Sequence, residues 1–260
     1  MLALAALPGI IAALAIFAPS VIEPFWPLPN TSDQAFIFVG SILAAAAAST
    51  LWAAWEGEDV SFGGIGLDIA VIFWPLAIWL LVLDPAKGGG LSALALGALG
   101  TGLFGTWLAW RTVRAPMTDP RPTPRMVLVA FVAFVGVLLV AAVTLIGGRP
   151  NTLPWPATRE VAMMTGLIFL GAASYFVFGL ARRGWSNAGG QLAGFLAYDL
   201  VLIPPLVMRS GTIPGYWRDS LWLYLAVLIG SGALAAWYLF LDPRTRLGSR
   251  SAEPDPVQAT

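Results

Sequence analysis

From Met126 to Gly147 the chain reads MVLVAFVAFVGVLLVAAVTLIG, without one charged side chain. About 20 apolar residues, wound as a helix, match the roughly 30 Å hydrocarbon thickness of a bilayer. The run is continuously apolar and lacks period-two alternation, so it predicts a spanning helix, not a barrel strand. Seven further runs of the same character occur at 2–22, 34–56, 65–83, 91–112, 160–181, 191–208 and 220–241. Clusters containing Pro or Gly separate them: Glu23 to Pro27, Asp84 to Gly90, Asp119 to Pro124, Pro150 to Pro156 and Gly211 to Gly215. The expected fold is all-α, a polytopic membrane protein of about eight transmembrane helices.

Composition agrees. Of 260 residues, 58% are hydrophobic and 11% charged, and mean hydropathy is +0.80. A soluble domain carries about a quarter charged residues. Twelve Trp residues, many at the ends of the runs, add an interfacial aromatic signal. There is no Cys and no His, which excludes disulfides, cysteine-ligated iron–sulfur clusters, histidine-ligated haem, Ser-His-Asp and Cys-His nucleophiles, and the common zinc sites. The sole lysine, Lys87, falls in a loop, which argues against an intramembrane Schiff base. No cofactor or metal is expected. A net charge of zero provides no basic field for nucleic acid.

With eight spans, both termini and the even-numbered loops share one face. That face carries Arg111, Arg114, Arg121, Arg125, Arg182, Arg183, Arg244, Arg246 and Arg250; the other carries Lys87, Arg149, Arg159, Arg209 and Arg218. The excess places the termini in the cytoplasm, in the cell membrane. The first run lacks a basic leader and a clear small-x-small cleavage site, so it is expected to remain as a helix. The polar tail, 244–260, is expected to be a disordered cytoplasmic segment.

Pro27, Pro29 and Thr31 match Pro154, Pro156 and Thr158 at a shift of 127 residues, and the register continues through Ala35 with Ala162 and Leu43 with Leu170. Further on, Asp68 to Leu76 resembles Asp199 to Leu206 at a slightly larger offset. These matches suggest a tandem duplication: a first four-helix half, 1–125, and a second, 126–243. Two halves of four helices would be parallel repeats, with a site expected at their interface.

Asp199 lies near the middle of the seventh run, where a charge costs about 2.5–3.5 kcal/mol on insertion scales. Something must offset that cost. Pro204 and Pro205 follow within two turns and remove the N–H groups that would satisfy Leu200 and Val201, so a kink and a polar pocket are expected there. Asp68, followed by Pro75, is the matching candidate in the first half. Its place near the start of its run also allows a capping role. Tyr198 and Tyr175 complete the expected binding or proton/ion site. The structural alternative for Asp199 is a tie to Tyr175, Ser174 or Thr165 on the preceding helix.

Two other features have plain readings. Gly97, Thr101 and Gly105, like Ala98 and Gly102, are spaced by four and read as helix packing or a contact between copies. Glu56, Glu58 and Asp59, without a basic neighbour in sequence, read as a solvated acidic loop. The expected activity is binding or transport of a small molecule, ion or lipid. The alternatives are a structural subunit of a membrane complex, with a membrane-protein partner or a second copy, and an intramembrane enzyme acting on a lipid or isoprenoid.

Overall fold

The structure is a computed structural model that describes residues 2–26, 28, 31–84, 90–117, 119, 121–149, 152–211 and 214–247. Pro27 and Pro29, the breaker at 85–89 with Lys87, Pro120, Pro150 and the tail from 248 lie outside the described residues. The helices are α1 (Leu2–Phe17), α2 (Pro19–Ile22), α3 (Asp33–Glu56), α4 (Ser61–Leu83), α5 (Ser92–Thr112), α6 (Arg125–Ile146), α7 (Arg159–Ala181), α8 (Trp185–Arg209) and α9 (Gly215–Ala236). A 3-10 turn, Glu23–Phe25, follows α2, and the end of α9 widens into a π-turn at Trp237–Leu241. Seven helices are long and apolar enough to cross a membrane, eight if the first, bent pair counts as one span. This is a polytopic helical membrane protein.

The first run is not a straight span. Its axis turns by 115° between Phe17 and Pro19, where Pro19 cannot donate a helical hydrogen bond and opens a new short helix. Pro75, Pro204 and Pro205, by contrast, lie inside the continuous helices α4 and α8 and end neither. The helices α4 and α8 also begin earlier than hydropathy predicts, at Ser61 and Trp185. Their first turns, SFGG and WSNAGG, are too polar and glycine-rich to read as membrane helix. Tertiary packing fixes them: Trp52 lies over Gly189 and Gly190, Phe178 lies over Gly63 and Gly64, and the Trp52 indole donates to the Ser186 carbonyl at 2.8 Å.

Glycine decides where helices meet most closely. On α5, a Cβ at Gly105 would sit 2.7 Å from the Ala70 nitrogen, and one at Gly66 of α4 would sit 2.5 Å from the Ala109 nitrogen. Gly102 and Ala98 share that buried face, while Gly97 looks into open space. The small-residue pattern of α5 therefore serves packing within the bundle on its α4 side.

The most extensive helix contacts are α1 with α3, α6 with α7, α4 with α5, α8 with α9, α3 with α8, and α4 with α7. The central pairs, α3 with α8 and α4 with α7, join the first half of the chain to the second. Phe38, Trp155, Phe169 and Tyr198 pack there as a cluster of rings. At the periphery, α6 turns Val129, Val132, Val140 and Val143 outward. Such a surface suits lipid, where burying apolar side chains gives helices no special attraction and close packing must hold them.

The loops joining α3–α4, α5–α6 and α7–α8 meet at one end of the bundle. Arg121 pairs with Glu56 at 3.0 Å and with Asp119 at 2.8 Å. The Asp119 N–H donates to Glu58 Oε1 at 2.7 Å, and the Trp185 N–H donates to the Arg121 carbonyl at 2.9 Å. Arg182 reaches the Ala115 carbonyl at 2.7 Å. Glu58 is 2% exposed and Asp119 6%. The expectation of a solvated acidic loop therefore fails for Glu56 and Glu58: Arg121, the basic partner of Glu56, lies 65 residues beyond it, the Asp119 N–H that binds Glu58 lies 61 residues beyond that residue, and only folding brings them near. Asp59 alone remains exposed. The first residues of the tail are also ordered, with Thr245 donating to the Tyr238 carbonyl at 2.8 Å and the Leu247 N–H to that of Leu239 at 2.9 Å.

Candidate functional site

The two aspartates lie at different depths. Asp68 is seven residues into α4 and Asp199 fourteen into α8, so at 1.5 Å per residue they stand about 10 Å and about 21 Å from the Arg121 end. A capping role for Asp68 is ruled out by the early start of α4. Its side chain faces α7, where the absent side chain of Gly171 makes room: a Cβ there would sit 2.5 Å from Asp68 Oδ1. Among the described residues, that buried oxygen has no hydrogen-bond partner.

Tyr175 belongs to this pocket and not to Asp199. Its ring packs over Gly64 one turn before Asp68, and its hydroxyl lies beside Ser49 of α3. Ser49 also donates to the Gly190 carbonyl at 2.9 Å. Gln191 donates from Nε2 to the Tyr175 carbonyl at 2.5 Å, while its Oε1 is buried without a described partner. Asp68, Tyr175, Ser49 and Gln191 thus bring together four helices, α4, α7, α3 and α8.

Asp199 forms a second polar group, between α8 and α9. Ser231 donates to Asp199 Oδ2 at 2.9 Å, and Oδ1 is buried without a described partner. Gly232 keeps the approach close, with its Cβ position 3.2 Å from Oδ2. Tyr198, next in the chain, shares a hydrogen bond with Tyr224 of α9. The expected tie to the preceding helix is absent: Ser174 donates to the Gly171 carbonyl at 2.6 Å and Thr165 to that of Val161 at 2.8 Å, both within α7. The sequence-expected set therefore separates into two, Asp68 with Tyr175 and Asp199 with Tyr198.

Sequence reading missed Ser231, Tyr224, Ser49 and Gln191. Gly230-Ser231-Gly232 reads as a packing motif, and the serine stands out only when α9 lies against α8. Gln191 is a polar residue at the edge of an apolar run, and the unexpected early turns of α8 are what place it inside. Among the described residues, no three acidic, histidine or cysteine side chains converge as a metal set.

The site belongs to a class defined by its fold, that of polytopic helical membrane proteins with carboxylates buried between helices. No protein-family model, curated protein or solved structure matches the chain.

Proposed function

We propose that the protein binds and moves a small molecule, ion or lipid between two four-helix halves, 1–125 and 126–243. The carrying observation is that Asp68 and Asp199 each leave a carboxylate oxygen buried without a described partner. A carboxylate kept only for structure gains most when both oxygens are satisfied, because a buried unsatisfied polar atom costs about 1–3 kcal/mol. Intramembrane carboxylates left open in this way mark ion, proton and substrate pathways.

The helix pairing supports the two halves. Exchanging α1, α3, α4 and α5 for α6, α7, α8 and α9 maps each of the six main contacts onto another of the six. The side chains follow. A Cβ on Gly40 would meet Ile16 and the Ala12 carbonyl, and one on Gly166 would meet Ile146 and the Ala142 carbonyl. Ser32 caps α3 as Thr158 caps α7, accepting from Ala35 and Val161 respectively. The α1 and α6 members of the glycine contacts are offset by 130 (146 minus 16), whereas along α3 and α7 the pairs give 126 (166 minus 40, and 158 minus 32), one less than the loop alignment. At that offset Asp68 corresponds to Gly194 and Asp199 to Phe73. The two aspartates are then not counterparts, and the duplicated frame has diverged into two unlike polar sites. The arginine excess supports cytoplasmic termini in the cell membrane.

The test uses Asp68→Asn and Asp199→Asn, which keep shape and remove charge. Each variant is compared with wild type in complementing a deletion strain and, in liposomes, in proton flux under an imposed potential. Loss of complementation by a folded variant supports the reading. Normal complementation and unchanged flux by both would sink it.

Two observations favour a second reading, a structural subunit of a membrane complex. The cavity described below is lined by neither aspartate, and the outer face of α5 leaves Gly97 and Gly100 open to a neighbouring protein. Stable partners in mild-detergent purification would favour it.

A further inference from the structure

A cavity of about 330 Å³ opens at the end of the bundle away from Arg121. Its floor holds Gln34, Trp155 and Leu206, all buried; Arg209 and Pro214 stand exposed on the rim, and Trp217 forms a side wall. Two of the floor residues carry polar atoms that nothing described satisfies: both ends of the Gln34 amide and the Trp155 indole N–H. Gln34 is 1% exposed. Buried amides and indoles normally find partners, and this volume is in the range of small-ligand pockets, far above that of one water.

The chemistry of the wall is biased toward donors. The Gln34 amide N–H₂, the Trp155 indole and the Arg209 guanidinium donate, and the Gln34 carbonyl is the matching side-chain acceptor. Gln34 is the second residue of α3 and Trp217 the third of α9, so two helix N-termini, the positive ends of their dipoles, adjoin the cavity. Arginine beside a helix N-terminus suits a planar or tetrahedral oxyanion.

We propose that this cavity binds an oxyanion, a phosphate or carboxylate group, with Arg209 as its cation and Gln34 and Trp155 as its buried donors. The site is independent of Asp68 and Asp199. A phospholipid headgroup and a free anion share this chemistry, and the experiment separates them.

Purified full-length protein in phosphatidylcholine nanodiscs is titrated calorimetrically with inorganic phosphate. In detergent, native mass spectrometry measures retention of phosphatidylglycerol against phosphatidylcholine. The variants are Gln34→Glu, which puts a negative charge on the floor, and Arg209→Gln, which neutralises the exposed rim. Wild type is expected to bind one of the two anions, at least tenfold more tightly than either variant, with Asp199→Asn binding like wild type. Phosphate binding identifies a free anion, and selective phosphatidylglycerol retention identifies a headgroup. If wild type binds neither, or the variants bind equally well, the proposal is overturned. Should Gln34→Glu misfold, Arg209→Gln at its exposed position decides alone.

Discussion

Ser231 of α9 donates to Asp199 Oδ2 of α8 at 2.9 Å, while the other Asp199 oxygen is buried with no partner among the described residues. The contact joins the last two spans and leaves half of a carboxylate open inside the bundle.

Ser231→Ala should destabilise the protein by about 1–3 kcal/mol, because it strands a second buried oxygen. The double variant Ser231→Ala, Asp199→Leu should recover much of that loss, since removing both polar partners leaves nothing unsatisfied. Denaturant unfolding in detergent, analysed as a double-mutant cycle, measures both. Additive losses would show that the pair does not interact.

Glycine substitutions should separate by position on α5 and α4. At Gly66 and Gly105 an added Cβ meets backbone that cannot turn aside, so Gly66→Ala and Gly105→Ala should each cost about 1–3 kcal/mol. Gly97→Ala meets open space and should be neutral, or stabilising by up to about 1 kcal/mol through helix propensity. Melting temperatures of the three purified variants check the order.

Arg121→Ala should cost about 3–5 kcal/mol, as removal of one partner leaves buried carboxylates unpaired. Burial works against the Arg121 charge, but the Asp119 hydrogen bonds and the charges of Asp119 and Glu56 outweigh it and raise its pKa above the ordinary arginine value. The guanidinium therefore stays charged throughout the working pH range. Protease sensitivity of the 113–124 segment should rise in the variant. An unchanged cleavage rate would indicate that the loops are held by other contacts.

The start of α5 should loosen in acid. Asp84 accepts from the Ser92 hydroxyl at 2.5 Å and from the Leu91 N–H at 2.6 Å, and these bonds lower its pKa below the ordinary 3.8. A lowered carboxylate pKa means the contribution is complete above pH 3.8 and lost as pH falls through the depressed value. A fall in the protection of the Leu91 amide, its exchange rate taken relative to the intrinsic rate at each pH, is the expected result on acidification, and it should be absent in Asp84→Asn. Equal pH dependence in both proteins would count against it.

Much of the architecture is legible along the chain because a membrane span is a local property. Arg125–Ile146 declares itself by twenty-odd apolar residues whose backbone groups must pair within their own helix. Legibility ends where glycine and polar residues enter a helix, as at Trp185 to Gln191, because contacts from elsewhere in the fold, among them the indole of Trp52, the Ser49 hydroxyl and the loop carbonyl of Arg121, make those turns worth forming. The bend before Pro19 has the same character: proline permits a break anywhere it occurs, yet Pro75, Pro204 and Pro205 sit within intact helices.

Of the candidate site, the sequence by itself determined that two acids, Asp68 and Asp199, lie within apolar surroundings, since the cost of a charge there follows from composition alone. It could not determine what faces them. Ser231, Gly171 and Tyr175 reach the aspartates across helix seams, and a seam depends on which faces of two helices meet. Close packing at Gly171 against Asp68 and Ile72, and at Gly232 against Asp199, decided that. Hydropathy scores each helix against lipid, whereas these contacts score helices against one another. That physical difference is why the spans were readable from the sequence and the partners of the two aspartates were not.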